Sequence, residues 1–286
     1  MQSRFSRLAP YLQVAPLALV LLVFFGIPLL VVGAVSFFEY DEFDIYPAFT
    51  FANYLDLWSQ TTLNLYWQTI TYAVIVWAIT LVIGFTVAYF LVFHVRNILW
   101  QMALFLLCTV PFWTSNIIRM ISWIPVLGRN GIINQSLVGL GIIDQPLEFL
   151  LFSDVAVVIA YVHLFTLFMI VPIFNSMARI DRSLIEAAVD GGASSWRVIW
   201  EVVVPLSKTG IALGSIFVLT LVMGDFFVVK IMSGGQSGSV VSALYNEIAV
   251  LQYPPAAASA VVLLIIVTMM VAGILRIVDV RKELAG

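Results

Sequence analysis

Six apolar runs, each long enough to cross a lipid bilayer as a helix, divide this chain: residues 14–37, 67–93, 99–123, 153–177, 209–231 and 256–278. A helix spans the ~30 Å hydrocarbon layer with roughly 20 apolar residues. No water serves the backbone there, so each run must pair its N–H and C=O groups internally, as an α-helix does. The chain is therefore expected to be an all-α integral membrane protein with six transmembrane helices. Composition agrees: the 286 residues are 62% hydrophobic and 10% charged, against about 45–50% and about 25% in soluble domains. One core cannot hide that surplus. The first run follows Arg4 and Arg7 but outlasts the apolar part of a secretory signal, so it is read as an uncleaved span.

Lys and Arg in short loops mark the cytoplasmic side. With six alternating helices, Arg4, Arg7, Arg96, Arg179, Arg182, Arg197, Lys208, Arg276, Arg281 and Lys282 share one side. Glu39, Asp41, Glu42, Asp44, Asp56, Asp144, Glu148, Asp154 and Glu247 share the other, with Arg129 as its clearest cation. Both termini are then cytoplasmic. The outer loops, 38–66, 125–152 and 232–255, are rich in Gly, Pro, Asn and aromatics and are expected to form short interfacial helices and turns. No repeat or flexible linker interrupts residues 1–286, which are read as a single transmembrane domain.

Several functions are excluded early. A net charge of -3 gives nucleic acid no basic surface to meet. Cys108 is the only cysteine, and His94 and His163 are too few and too separated for a metal site. Lys208, Lys230 and Lys282 all lack the glycine that precedes the lysine of a phosphate-binding loop, so ATP has no such site here.

One cytoplasmic stretch, EAAVDGGASSWRVIWEVVVP at 186–205, mixes charge, small residues and paired glycines. Ser183 and Glu186 have the spacing of a capping box, which predicts a helix from about Leu184 to Asp190. Gly191 and Gly192 should stop it. Ser194 or Ser195 should cap a second helix, Trp196 to Val203, before Pro205 opens the next span. Ala187 and Ala188 let another surface approach closely, while Trp196 and Trp200 suit the membrane interface. Two readings fit these residues: a membrane-surface connector, or a docking knob for a soluble subunit.

Glu186-Ala187-Ala188, Gly192 after three residues, and Val202-x-Val204-Pro205 after nine more resemble the EAA loop of binding-protein-dependent ABC importer permeases. Two departures are visible: Gly191 stands where leucine is usual, and Val204 where leucine commonly precedes the proline. The resemblance implies a type I ABC importer (MetI-like) permease fold, with a cytoplasmic coupling helix in a loop at about 181–206. Glu186, Ala187, Ala188, Asp190, Gly191, Gly192, Ala193, Ser194, Trp196 and Pro205 would meet the ATPase. It also implies a bacterial inner-membrane complex: a second homologous permease, two ABC ATPase subunits that hold ATP and Mg, and a periplasmic substrate-binding protein. This chain would carry no cofactor and catalyse no reaction. FTFANY (49–54), PFWTSNIIR (111–119), GRNGIINQSLVGLGIIDQPL (128–147) and GDFFVVKIMSGG (224–235) resemble the spermidine/putrescine-type, PotB/PotH-like branch. That branch also includes importers of other amines, opines and aminophosphonates. A stand-alone secondary transporter would show inverted repeats and leaves the EAA loop unexplained. An enzyme would need a catalytic constellation that no motif supplies.

Ionisable residues in a span usually face a cavity or a partner. Asp225, with Trp113, Asn116, Trp123 and Phe226, offers a carboxylate, an amide and aromatic faces, which suit a cation in transit. Alternatively, Asp225 neutralises Arg119 or Lys230. Arg119 likewise has two open roles: it pairs structurally, or it holds an anionic group of the cargo. His163 is read as a hydrogen-bonded packing residue. Pro111 is expected to bend the third helix, with Thr114 and Ser115 serving freed carbonyls. Pro172 has the same character.

Overall fold

A computed structural model describes residues 13–41 and 44–278; Arg4, Arg7, Glu42, Arg281 and Lys282 lie outside them. In chain order its helices are α1 (Gln13–Val35), α2 (Ala52–Asp56), α3 (Gln60–His94), α4 (Ile98–Trp113), α5 (Asn116–Ile121), α6 (Ile124–Leu127) and α7 (Ile132–Gly139). They continue as α8 (Asp154–Met177), α9 (Arg182–Asp190), α10 (Ser195–Met223), α11 (Phe227–Met232), α12 (Val240–Ala249) and α13 (Tyr253–Ile277). Among the described residues α1, α3, α8, α10 and α13 are each long and apolar enough to cross a membrane. A sixth candidate for a crossing is divided: α4 and the segment from Asn116 meet at a 92° bend.

The bend has a local cause. Pro111 brings no N–H, and the end of α4 tightens into a 3₁₀ turn over Val110–Trp113. Thr114 Oγ1 donates to the Pro111 carbonyl at 2.7 Å, and the Thr114 N–H donates to the same oxygen at 3.3 Å. The continuous third span expected over 99–123 is thus broken. The fifth span also differs from its expected bounds, 209–231: α10 ends at Met223, and α11 is separate.

Contacts group the chain into two compact units. One takes the described part of Met1–Leu63 with Ala243–Ile265. Here α1 is apolar on every side and buries none of its most apolar window within the chain, as expected of a helix that faces lipid or another subunit. The outer loop after it holds a two-residue hairpin, β1 (Glu39–Tyr40) against β2 (Ile45–Tyr46), where only helices and turns were expected. Asn53, 2% exposed, ties that loop down by donating to the Ser36 and Phe38 carbonyls at 3.0 and 2.9 Å. Phe37, Phe49, Phe51 and Tyr54 stack around it.

The other unit is Asn64–Ser242 with the described part of Ile266–Gly286. Its centre is α8 packed along α10. Lipid gives apolar side chains little reason to leave it, so close helix contact depends on small residues at the interface. Gly214 supplies one: a Cβ there would stand 2.7 Å from the Met169 sulfur and 3.2 Å from the Met169 Cα. Val157, Ala160, Leu164, Met169 and Ile173 of α8 and Val218 and Val222 of α10 are all buried. The helix α8 continues through Pro172 to Met177.

Candidate functional site

The stretch after α8 folds as two helices around a glycine turn, the second capped by Ser194 as expected and the first by a residue other than the expected one. Asp181, not Ser183, is the N-cap of α9: its carboxylate accepts the Ser183 N–H at 2.9 Å. That bond holds the Asp181 carboxyl below the usual carboxylate range. The Glu186 side chain makes no hydrogen bond among the described residues and is exposed, as are Ala187 and Asp190; Ala188 is half-buried. Gly191 keeps φ -72, and Gly192 takes the left-handed turn at φ 84. A side chain at Gly192 would touch nothing within 4 Å, so only its backbone angle restricts that position.

Ala193 leads to Ser194, whose hydroxyl accepts the Arg197 N–H and starts the second helix. That helix does not stop before Pro205. It widens into a π turn over Ile199–Val203 and continues as one rod, Ser195–Met223. An α-helical Pro205 would leave a carbonyl one turn back without its donor, and the wider turn is a recognised local adjustment to that loss. Trp196 and Trp200 pack edge to face, 68% and 56% exposed. Ala187, Glu186, Asp190 and the two indoles are all left exposed by the described residues.

In the sequence Arg182 marks only sidedness. Its Nη2 donates to the Val92 carbonyl at 2.9 Å, inside the π turn that ends α3. Gln101 serves the neighbouring Leu91 carbonyl at 2.9 Å. The loop is therefore fastened to a membrane-spanning helix 90 residues away in sequence. A surplus of carbonyls at a π-helical end is the only clue, and it is invisible before folding.

The polar residues proposed for a pathway fall into two groups beside α8. Trp123 donates its indole N–H to His163 Nδ1 at 3.0 Å. Arg119 is 6% exposed; it bonds Asn116 through Nη2, its guanidinium lies 6.0 Å from the Phe112 ring, and Nε has no partner. With His163, Phe112 and Cys108 it lines a small cavity of about 260 Å³. The second group is Asp225, where the chain breaks between α10 and α11. Its Oδ1 accepts the Val228 N–H at 2.9 Å and the Tyr161 hydroxyl at 3.3 Å. Phe226 stacks edge to face on Phe227. Trp113, at the bend, is 76% exposed. Arg119 and Asp225 do not pair, and no carboxylate among the described residues lies within ion-pair distance of Arg119.

Known proteins resemble the chain at two levels. The family model described as "Binding-protein-dependent transport system inner membrane component" matches residues 81–283. The spermidine/putrescine transport system permease protein PotB of Haemophilus influenzae is 32% identical over 232 residues, 80% of each chain. PotB of Escherichia coli is 32% identical over 235 residues, 80% of this chain and 83% of that one. The inner membrane ABC transporter permease protein YdcU of Escherichia coli is 27% identical over 233 residues, 77% and 74% of the two. In three dimensions, a chain of a bacterial alginate ABC transporter, crystallised with an alginate pentasaccharide-bound periplasmic protein, superposes with a TM-score of 0.77. The match covers 96% of this chain and 95% of that one at 15% identity, and it concerns the fold alone.

Proposed function

The chain belongs to the family of binding-protein-dependent transport system inner membrane components, and from that premise we propose that it is one permease of an ATP-driven importer of a polyamine, spermidine or putrescine. As a permease subunit it is not itself an enzyme. A second, homologous permease completes the pathway, two ATPase subunits hold ATP and Mg, and a periplasmic protein delivers the cargo. Both termini are cytoplasmic. The cargo assignment is supported by relatives that are 32% identical over 80% of the chain and named for spermidine and putrescine.

The observation that carries the transport mechanism is the surface at 181–206: exposed, capped at both helices, and tied by Arg182 to α3. An ATPase that grips α9 and moves it pulls on the cytoplasmic end of α3 through that bond. Closure of the two ATPases around ATP would so be transmitted to the helices that flank the cargo, by a rigid connection and without covalent chemistry. The test is reconstitution of the full complex in liposomes. ATP-dependent uptake of labelled putrescine or spermidine that needs the binding protein is expected. Purification without any ATPase, or uptake that ignores ATP, would overturn the assignment.

A further inference from the structure

A cleft outside both groups already described has the chemistry of a cation site. It lies between residues 64–75 of α3 and the start of α8 and has a volume of about 600 Å³, within the ~300–1,000 Å³ usual for small-ligand sites. Asn64, Gln68 and Thr71 sit at helical spacing on the face of α3 that lines it. Polar residues in a membrane-spanning helix turn towards a cavity or a partner. Beyond them the walls become apolar, with Ile75, Val158 and Ile159.

Asp154 is the one carboxylate in the lining. The Tyr72 hydroxyl donates to its Oδ1 at 2.6 Å, Ser237 donates to the same oxygen, and Gln68 Nε2 stands 3.5 Å away. Oδ2 makes no hydrogen bond among the described residues. Tyr72 is 3% exposed, so the group that orients the carboxylate is fixed, while Asp154 itself is exposed. Beside it Trp67 lines the cleft with a ring that is 72% exposed. A held carboxylate with one uncommitted oxygen, an open indole face and amide oxygens are three features that each favour an ammonium group. Neither Lys nor Arg lines the cleft.

We propose that this cleft binds an alkylammonium group of the cargo, with Asp154 Oδ2 accepting its N–H and Trp67 covering its charge. The proposal rests on the polyamine reading above and adds a site to it. The stripe from Asn64 to Thr71 rises about 10 Å, long enough to follow a flexible diamine with one end at Asp154 and its methylenes along the apolar wall.

The test compares putrescine uptake by the reconstituted complex carrying Asp154→Asn, Asp154→Glu, Trp67→Ala or Trp67→Phe. Loss of one charge-assisted hydrogen bond should raise the KM for putrescine about tenfold in Asp154→Asn, with the amount of assembled complex unchanged. Asp154→Glu and Trp67→Phe should restore most of it. An unaltered KM in Asp154→Asn overturns the proposal and leaves the polyamine importer standing. If Asp154→Asn does not assemble, the Trp67 pair decides: equal KM values for Trp67→Ala and the wild type overturn it. If the wild-type complex imports no amine, the cargo reading fails first. Labelled putrescine is then titrated onto the wild-type complex in nanodiscs lacking amine headgroups: saturable binding lost in Asp154→Asn supports the cleft, and no such binding overturns it.

Discussion

The loop at 181–206 and the polar groups beside α8 both place charge in one compact unit, yet they are built by opposite means. In the loop, the side-chain hydrogen bonds other than that of Arg182 to Val92 join near neighbours. Asp181 caps Ser183, Ser194 caps Arg197, and Arg197 pairs with Glu201 one turn on at 3.1 Å. Its charged side chains stay in water, where an exposed pair is worth about 0–1 kcal/mol, so they are free to meet a partner. Beside α8 the partners are remote: Tyr161 reaches Asp225 across 64 residues and Trp123 reaches His163 across 40. There Asp225 and Arg119 also bond within a turn, to Val228 and Asn116, and Arg119 Nε has no partner among the described residues. Local bonds make a surface that can be handed to another protein. Long-range bonds hold the bundle and shape its cavities.

The largest effect that would sharpen this contrast comes from Gly192→Val. A β-branched residue at φ 84 strains the turn, by about 1–2 kcal/mol, without meeting any neighbour. The permease should still insert and keep its thermal stability within a few degrees, while ATP-driven uptake is abolished. Uptake near wild type would show that the loop's shape is irrelevant to coupling.

Next in size is Arg182→Gln. The bond to the Val92 carbonyl is the one long-range fastening found for this loop among the described residues, and a hydrogen bond from a charged donor contributes about 1.5–3 kcal/mol. Complex assembly should persist, with ATP hydrolysis maintained and uptake per ATP reduced severalfold. If hydrolysis and uptake fall together, Arg182 serves ATPase docking and the link to α3 is not the transmission path.

Arg119→Gln should do less. Its guanidinium is buried without a carboxylate, so the neutral residue removes a charge that nothing compensates. Detergent-solubilised protein should be as stable as wild type or slightly more so, and cation uptake should change less than about twofold, since no bond to an amine is lost. A large loss of uptake from an intact complex would instead mean that Arg119 holds an anionic group of the cargo.

The smallest effect concerns pH. Asp181 has its carboxyl depressed by the Ser183 N–H it accepts, so its contribution to α9 is fully present above the ordinary carboxylate pKa near 4 and is lost as pH falls through the lower folded value. Asp181→Ala and the wild type should therefore differ in loop protection, read by hydrogen exchange at Ser183 and Leu184, at pH 7, and the difference should shrink at the acid end. A gap that widens with acid would contradict the cap.

Much of this protein was legible before folding. Six apolar runs become helices because a backbone in hydrocarbon has no other partner than itself. A proline at 111 followed by Thr114 announces a bend, and paired glycines between two serine-started segments announce a turn. These inferences depend on residues within one or two turns of each other. Other features needed the tertiary structure. The run from Ser195 through Pro205 to Met223 is one helix, because a π turn absorbs the proline that was expected to divide it. Asp225 answers to Tyr161, 64 residues away, and not to Arg119. The sequence permitted an Arg119–Asp225 pair equally well. Asp154 and Tyr72, 82 residues apart, gave no sign of each other until α3 and α8 lay side by side. Apolar runs are selected by their solvent, which composition describes. Polar partners are selected by distance, which only the packed helices define.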